Sequence, residues 1–145
     1  MMQSESIANL AKALSIVQGK MTYAVKDSAN PFFKSKYADL ESVWDACRSL
    51  LAENGLCVMQ FPGEFIDNCM SLTTILAHSS GEWIKQTMEV PVTKADAQGA
   101  GSALTYMRRY ALAAVVGVVQ ADDDGNAASN PGKPVNKPVV KSIEI

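Results

Sequence analysis

Arg108 and Arg109 stand between Tyr106 and Tyr110, so two guanidinium groups and two phenols fall within five consecutive residues. A guanidinium offers a planar fork of donors that matches phosphate oxygens, and a tyrosine ring offers a face on which a base can stack. A second group of such side chains lies far upstream. Lys20, Tyr23, Lys26, Asn30, Phe32, Phe33, Lys34, Lys36 and Tyr37 fall within the 18 residues 20–37, where Asp27 is the only acid. Four lysines less one aspartate leave +3 in that stretch, against −2 for the whole chain of 145 residues. Lysines neutralise phosphates and release counterions, and interleaved rings stack on unpaired bases. The same residues fit a second reading, in which Phe32, Phe33 and Tyr37 anchor a loop to the core and the lysines keep it soluble. The arginine pair likewise fits an ordinary solvated helix face with a salt-bridging arginine.

Other candidates for chemistry are thinner. Asp122, Asp123 and Asp124 are consecutive acids of the kind that hold Mg²⁺ or Ca²⁺, and equally of the kind that mark a solvated domain edge. His78 is the single histidine; Ser79 and Ser80 follow it without any nucleophile-elbow pattern, which makes it a surface-turn residue rather than a general base. Cys47, Cys57 and Cys69 are odd in number, show no CxxC spacing and read as core fillers, so neither a disulfide framework nor a zinc site is expected. The absence of a GxxxxGK[ST] motif sets aside an ATP-driven recombinase.

The elements that position these residues follow from periodicity. Ile7, Leu10, Ala11, Leu14 and Val17 predict a helix near 4–18, stopped by Gly19. Leu40, Val43, Trp44, Cys47, Leu50 and Leu51 predict a second helix ending at Asn54-Gly55. Three strand-like runs follow at 56–61, 70–77 and 83–90, punctuated by Pro62-Gly63 and by residues 79–82, and Pro91 ends the last. Connections this short predict an antiparallel meander. A final helix runs from about Asp96 to Val118, with Thr93 and Asp96 spaced like a capping box. At 100° per residue, Ala100, Ala103, Leu104, Met107, Ala111, Ala114, Val115 and Val118 form its buried stripe. Arg109 points the opposite way with Ser102, Thr105, Tyr106 and Ala113, while Arg108 and Tyr110 fall on the two flanks. Gly99 and Gly101 sit in the first turn, where free amides can receive a phosphate.

The fold class expected is therefore α+β: a three-stranded antiparallel β-meander packed against helices, followed by a flexible C-terminal tail. Residues 1–121 form the domain. Residues 122–145, with three prolines, two glycines and no aromatic, form an acidic junction and tail too poor in apolar surface to offset ordering entropy. The tail turns apolar again from Val139 to Ile145, as a docking segment or a frayed terminus. A composition of 48% hydrophobic and 19% charged residues is that of a globular chain, and no apolar run reaches the roughly 18 residues of a membrane span. The start, MMQSESIANL, lacks the basic-then-apolar pattern of a secretory signal, so a reducing cytoplasmic setting is expected.

Three blocks also carry a family resemblance. Residues 30–40 (NPFFKSKYADL) are similar to the N-terminal signature of the ERF (essential recombination function) single-strand annealing proteins of phages and prophages. Residues 101–112 (GSALTYMRRYAL) resemble their second signature, and Asp122-Asp123-Asp124-Gly125-Asn126 resembles the acidic close of that domain. The resemblance spans roughly residues 7–126; Met107 departs from it, a smaller residue being common there, which implies a change of packing. It implies ATP-independent annealing of complementary single-stranded DNA in recombination or repair by a homo-oligomeric ring or filament. No catalytic residue, metal or cofactor is implied. It further implies a β-β-β-α core related to the RecT and Redβ annealing proteins, a bacterial host cytoplasm, and partners such as a phage exonuclease or a single-strand binding protein. By position, Lys34, Lys36, Tyr37, Tyr106, Arg108, Arg109 and Tyr110 become the DNA-facing set. A passive single-strand coating protein and a metal-dependent nuclease built on Asp122–Asp124 are the alternatives.

Overall fold

Leu72, Thr74 and Leu76 are buried while the residues between them are only partly covered, the period-two pattern of a strand with one face against a core. A computed structural model of the chain, which describes residues 1–24, 28–29 and 36–119, places this strand at the centre of the fold. The elements run β1 (Met2–Gln3), α1 (Ala8–Lys20), β2 (Ser28–Ala29), β3 (Lys36–Tyr37), α2 (Leu40–Glu53), β4 (Leu56–Ile66), β5 (Cys69–His78), β6 (Trp83–Pro91) and α3 (Ala97–Val116). The meander β4–β5–β6 is antiparallel throughout, as expected. The sheet has four strands rather than three, in the order β1-β6-β5-β4, because Met2 and Gln3 pair with Lys85 and Ile84. A two-residue strand carries no periodicity, so nothing in its composition announces it. β2 and β3 form a separate small hairpin inside the stretch read as loop.

Register aligns Val58, Leu76 and Ile84 across the three strands, and this face carries α1, α2 and α3. Leu10, Ala13 and Val17 of α1, Val43, Cys47 and Leu51 of α2, and Leu112, Ala113 and Val116 of α3 close over Leu56 and Leu76. Among the described residues no helix lies on the other sheet face. There Thr73 and Thr87 share a hydroxyl hydrogen bond of 2.9 Å, and Phe61 stays about half exposed at 52%.

Several local expectations are corrected. β4 does not stop before Pro62-Gly63 but continues through them to Ile66, with a register irregularity between Pro62 and Phe65. Proline is tolerated there because β4 is an edge strand, whose free side needs no donor at that position. The turn is instead Asp67-Asn68, both at positive φ (51° and 59°), as a tight two-residue hairpin requires. α1 passes through Gly19 to Lys20, and its buried line uses Ala13 where Ala11 was expected. Cys57 is exposed and Cys69 partly so; only Cys47 fills the core. Its thiol lies 3.3 Å from the Val43 carbonyl oxygen, and burial pushes its pKa up to about 11. The tail 122–145 and its boundary lie outside the described residues.

α1 has no side-chain cap of its own: Ile7 occupies the N-cap position. Its open amides are served from across the molecule by Glu82, on the β5–β6 turn. One carboxylate oxygen accepts the Leu10 amide at 2.7 Å; the other accepts from Asn9 at 3.1 Å and from Ser6 at 3.2 Å. The Leu10 amide above all, then the Asn9 and Ser6 side chains, hold the carboxyl below its ordinary pKa against partial desolvation. A depressed carboxylate stabilises the fold above its unfolded pKa, and that contribution disappears as pH falls through the folded value. Glu82→Gln is therefore expected to unfold at a lower temperature than the parent chain near neutral pH, with the gap closing as acid protonates the folded-state carboxylate, read by circular dichroism melts. In a second test, a thiol reagent applied to the folded chain modifies Cys57 first and leaves Cys47 untouched until denaturant is added, as peptide mapping will show.

Candidate nucleic-acid interface

α3 begins where Asp96, itself the N-cap, accepts the Gly99 amide at 2.7 Å. The expected capping box led by Thr93 is thus displaced by three residues. The carboxylate also takes one of the amides that had been considered for a phosphate. Gly99 is needed for another reason: a Cβ there would run into the Lys94 carbonyl oxygen. At the other end Gly117 adopts φ 84°, and the amides of Gly117 and Val118 both donate to the Ala113 carbonyl, so the helix stops at Val116 rather than Val118.

The buried side of α3 turns along its length. Met107 is fully buried, and Ala100, Ala103, Leu104 and Ala111 are partly covered, as the stripe predicts. Beyond it, Leu112, Ala113 and Val116 are buried too, whereas Ala114 is exposed. Ala113 had been placed on the outward face. The reason is that α3 packs on the sheet and also against α2, so its C-terminal half is covered from a second direction.

That second contact decides what becomes of the arginines. Arg109 is half-buried rather than fully outward: its Nη1 donates to the Ala38 carbonyl oxygen at 3.5 Å. Its guanidinium lies 4.8 Å from the Tyr110 ring centroid and 6.0 Å from that of Tyr106. The two rings are 4.4 Å apart, tilted by 45°, and remain 48% (Tyr106) and 38% (Tyr110) exposed. Arg108 is also half-buried, and its backbone carbonyl accepts the Gln60 side-chain amide at 3.0 Å. The same Gln60 Nε2 approaches the hydroxyl of buried Thr74 at 3.2 Å, so a polar relay fixes the middle turn of α3 on β4 and β5. Gln60 and Thr74 were not singled out from sequence. The available signal was parity: Leu56, Val58 and Gln60 alternate onto the core face, and a polar residue there needs a partner.

The basic-aromatic stretch meets the α3 region at two points. Buried Ala24, within it, donates its amide to the carbonyl of Val119, just past α3, at 3.3 Å; Ala38, directly after it, accepts from Arg109. Lys36 and Tyr37 form β3, immediately before Ala38, and the backbone of Tyr37 is opposite Ser28. Lys26, Asn30, Phe32, Phe33 and Lys34 lie outside the described residues, as do Asp122–Asp124. His78 is held in its turn by Ser80, whose amide donates to Nδ1 at 3.1 Å. Among the described residues no group of three His, Cys, Asp or Glu side chains is arranged to hold a metal, and no helix is long and apolar enough to cross a membrane.

Fold and site together describe an α+β fold in which one long helix carries cationic and aromatic side chains beside the end of a basic segment. A family model for the ERF superfamily matches residues 10–142, and the chain belongs to that superfamily. Neither a curated protein nor a solved structure matches the chain.

The Gln60 relay is testable by stability. Gln60→Ala is expected to lower the unfolding free energy by about 1–2 kcal/mol in urea titrations. Combined with Thr74→Val, the loss should fall short of the sum of the two single effects, because the side chains share one bond.

Proposed function

We propose that this chain is a phage-type single-strand annealing protein that binds complementary DNA strands and pairs them without ATP or covalent chemistry. The observation that carries this reading is that Arg109 of the tyrosine-bearing helix contacts Ala38, directly after the basic-aromatic stretch, while Ala24 within that stretch pairs with Val119 just past the helix, in a chain of the ERF superfamily. Lys34, Lys36, Tyr37, Tyr106, Arg108, Arg109 and Tyr110 make up the DNA-binding set. Cations neutralise phosphates, and the exposed tyrosine rings meet bases whose pairing edges stay free for a second strand. Each subunit needs only weak contacts, since many act along one strand in a ring or filament of identical copies. The free edge of β4 supports side-by-side assembly, with the irregularity after Pro62 limiting how far a neighbour pairs along it. An overall charge of −2 suits such an assembly, because local patches bind DNA without mutual repulsion of whole subunits. The setting is the cytoplasm of a bacterial host, and the partners are a phage exonuclease or a single-strand binding protein.

The test mixes complementary fluorescent oligonucleotides in chelator without ATP. Pairing at least about tenfold faster than in the protein-free control is expected. Tight binding of each strand with no acceleration would make the chain a passive coating protein. Loss of strands on adding Mg²⁺, abolished by Asp123→Ala, would make it a nuclease.

A further inference from the structure

Phosphate recognition by arginine works best when the edge of the guanidinium fork faces the ligand. Arg109 does not offer that edge freely. One of its terminal nitrogens is directed at the Ala38 carbonyl oxygen, and its central carbon sits over the Tyr110 and Tyr106 rings, 4.8 and 6.0 Å from their centroids. The residue is half-buried, and Ala38 itself is 0% exposed. Ala38 occupies the single step between β3 and Asp39, the N-cap of α2, which accepts the Ser42 amide at 2.9 Å. A contact at this point holds three things together: the exit of β3, the start of α2 and the middle of α3.

We infer that Arg109 is a positioning residue: its guanidinium, steadied by Tyr106 and Tyr110, anchors the β3–α2 junction through the Ala38 carbonyl and so sets where Lys36 and Tyr37 emerge. This rests on the DNA-binding reading given above and assigns the work within it. Arg109 orders the basic segment, and the phosphate contacts fall to other members of the set, with Arg108 the one on the same turn.

Salt dependence separates the two roles, because each phosphate neutralised on single-stranded DNA contributes about 0.7 to the slope of log affinity against log salt. Binding of a fluorescent oligothymidylate is measured by anisotropy over a salt series for the parent chain, Arg109→Ala, Arg109→Lys and Arg108→Ala. Amide hydrogen exchange is followed in peptides covering 36–43 and, as an internal control, 69–78. An anchoring Arg109 gives an Arg109→Ala chain that binds about tenfold more weakly with the parental slope. It also gives faster exchange in 36–43 and unchanged exchange in 69–78. Arg108→Ala instead flattens the slope by about 0.7. Arg109→Lys, which keeps the charge but loses the planar fork, should resemble Arg109→Ala in both affinity and exchange, and it serves if the alanine variant fails to fold. A flattened slope for Arg109→Ala, full affinity for Arg109→Lys, or unaltered exchange in 36–43 would each overturn the assignment. If the parent chain fails to bind the oligonucleotide, the functional reading falls, and the exchange comparison still decides whether Arg109 anchors the junction.

Discussion

A half-buried amide between a sheet and a helix sets most of this architecture. Gln60 faces the core from β4, where a leucine or valine would satisfy the alternation, and its single nitrogen serves both the Thr74 hydroxyl and the Arg108 carbonyl. Buried polar groups are costly unless paired, so helix α3 cannot slide or rotate on the sheet without breaking that relay. The display of Tyr106, Arg109 and Tyr110 follows from this constraint. With the middle turn held by its backbone on one side, the side chains that leave it elsewhere have a defined direction.

A second constraint is electrostatic and acts at the β5–β6 turn. The Glu82 carboxylate does for α1 what a local cap does for α2 and α3, where Asp39 and Asp96 accept amides of their own first turns. Because Glu82 stands on the β5–β6 turn, the start of α1 is tied to the sheet rather than to its own chain neighbours. Ser4, directly after β1, strengthens the link: it exchanges hydrogen bonds with Trp83, at 2.9 Å between backbone groups and 3.0 Å through its hydroxyl. The first residues are thereby stitched to the edge of the meander.

The elements that carry the site were legible wherever one face is buried along a regular element. α2 was readable from Val43, Cys47 and Leu51, and the meander from its alternation and short turns. The pattern failed where burial comes from more than one side. Ala113 was assigned outward and Ala114 inward because a single stripe presumes a single packing surface, whereas α3 meets both sheet and α2. It failed again at Pro62-Gly63, read as a turn although an edge strand passes through a proline at little cost.

Residue chemistry along the chain settled what kinds of group are present and in what order: two clusters of cations and rings, three helices, and an antiparallel run of strands between them. Composition and spacing suffice for that, because propensity, alternation and charge are local properties. Only the tertiary structure decided that Arg109 turns to the Ala38 carbonyl, that Glu82 serves a helix 72 residues away in sequence, and that Gln60 fastens α3 to the sheet. Such contacts are made between groups whose separation along the chain says nothing about their separation in space, and it is the packing of three helices on one sheet face that brings them within hydrogen-bonding distance.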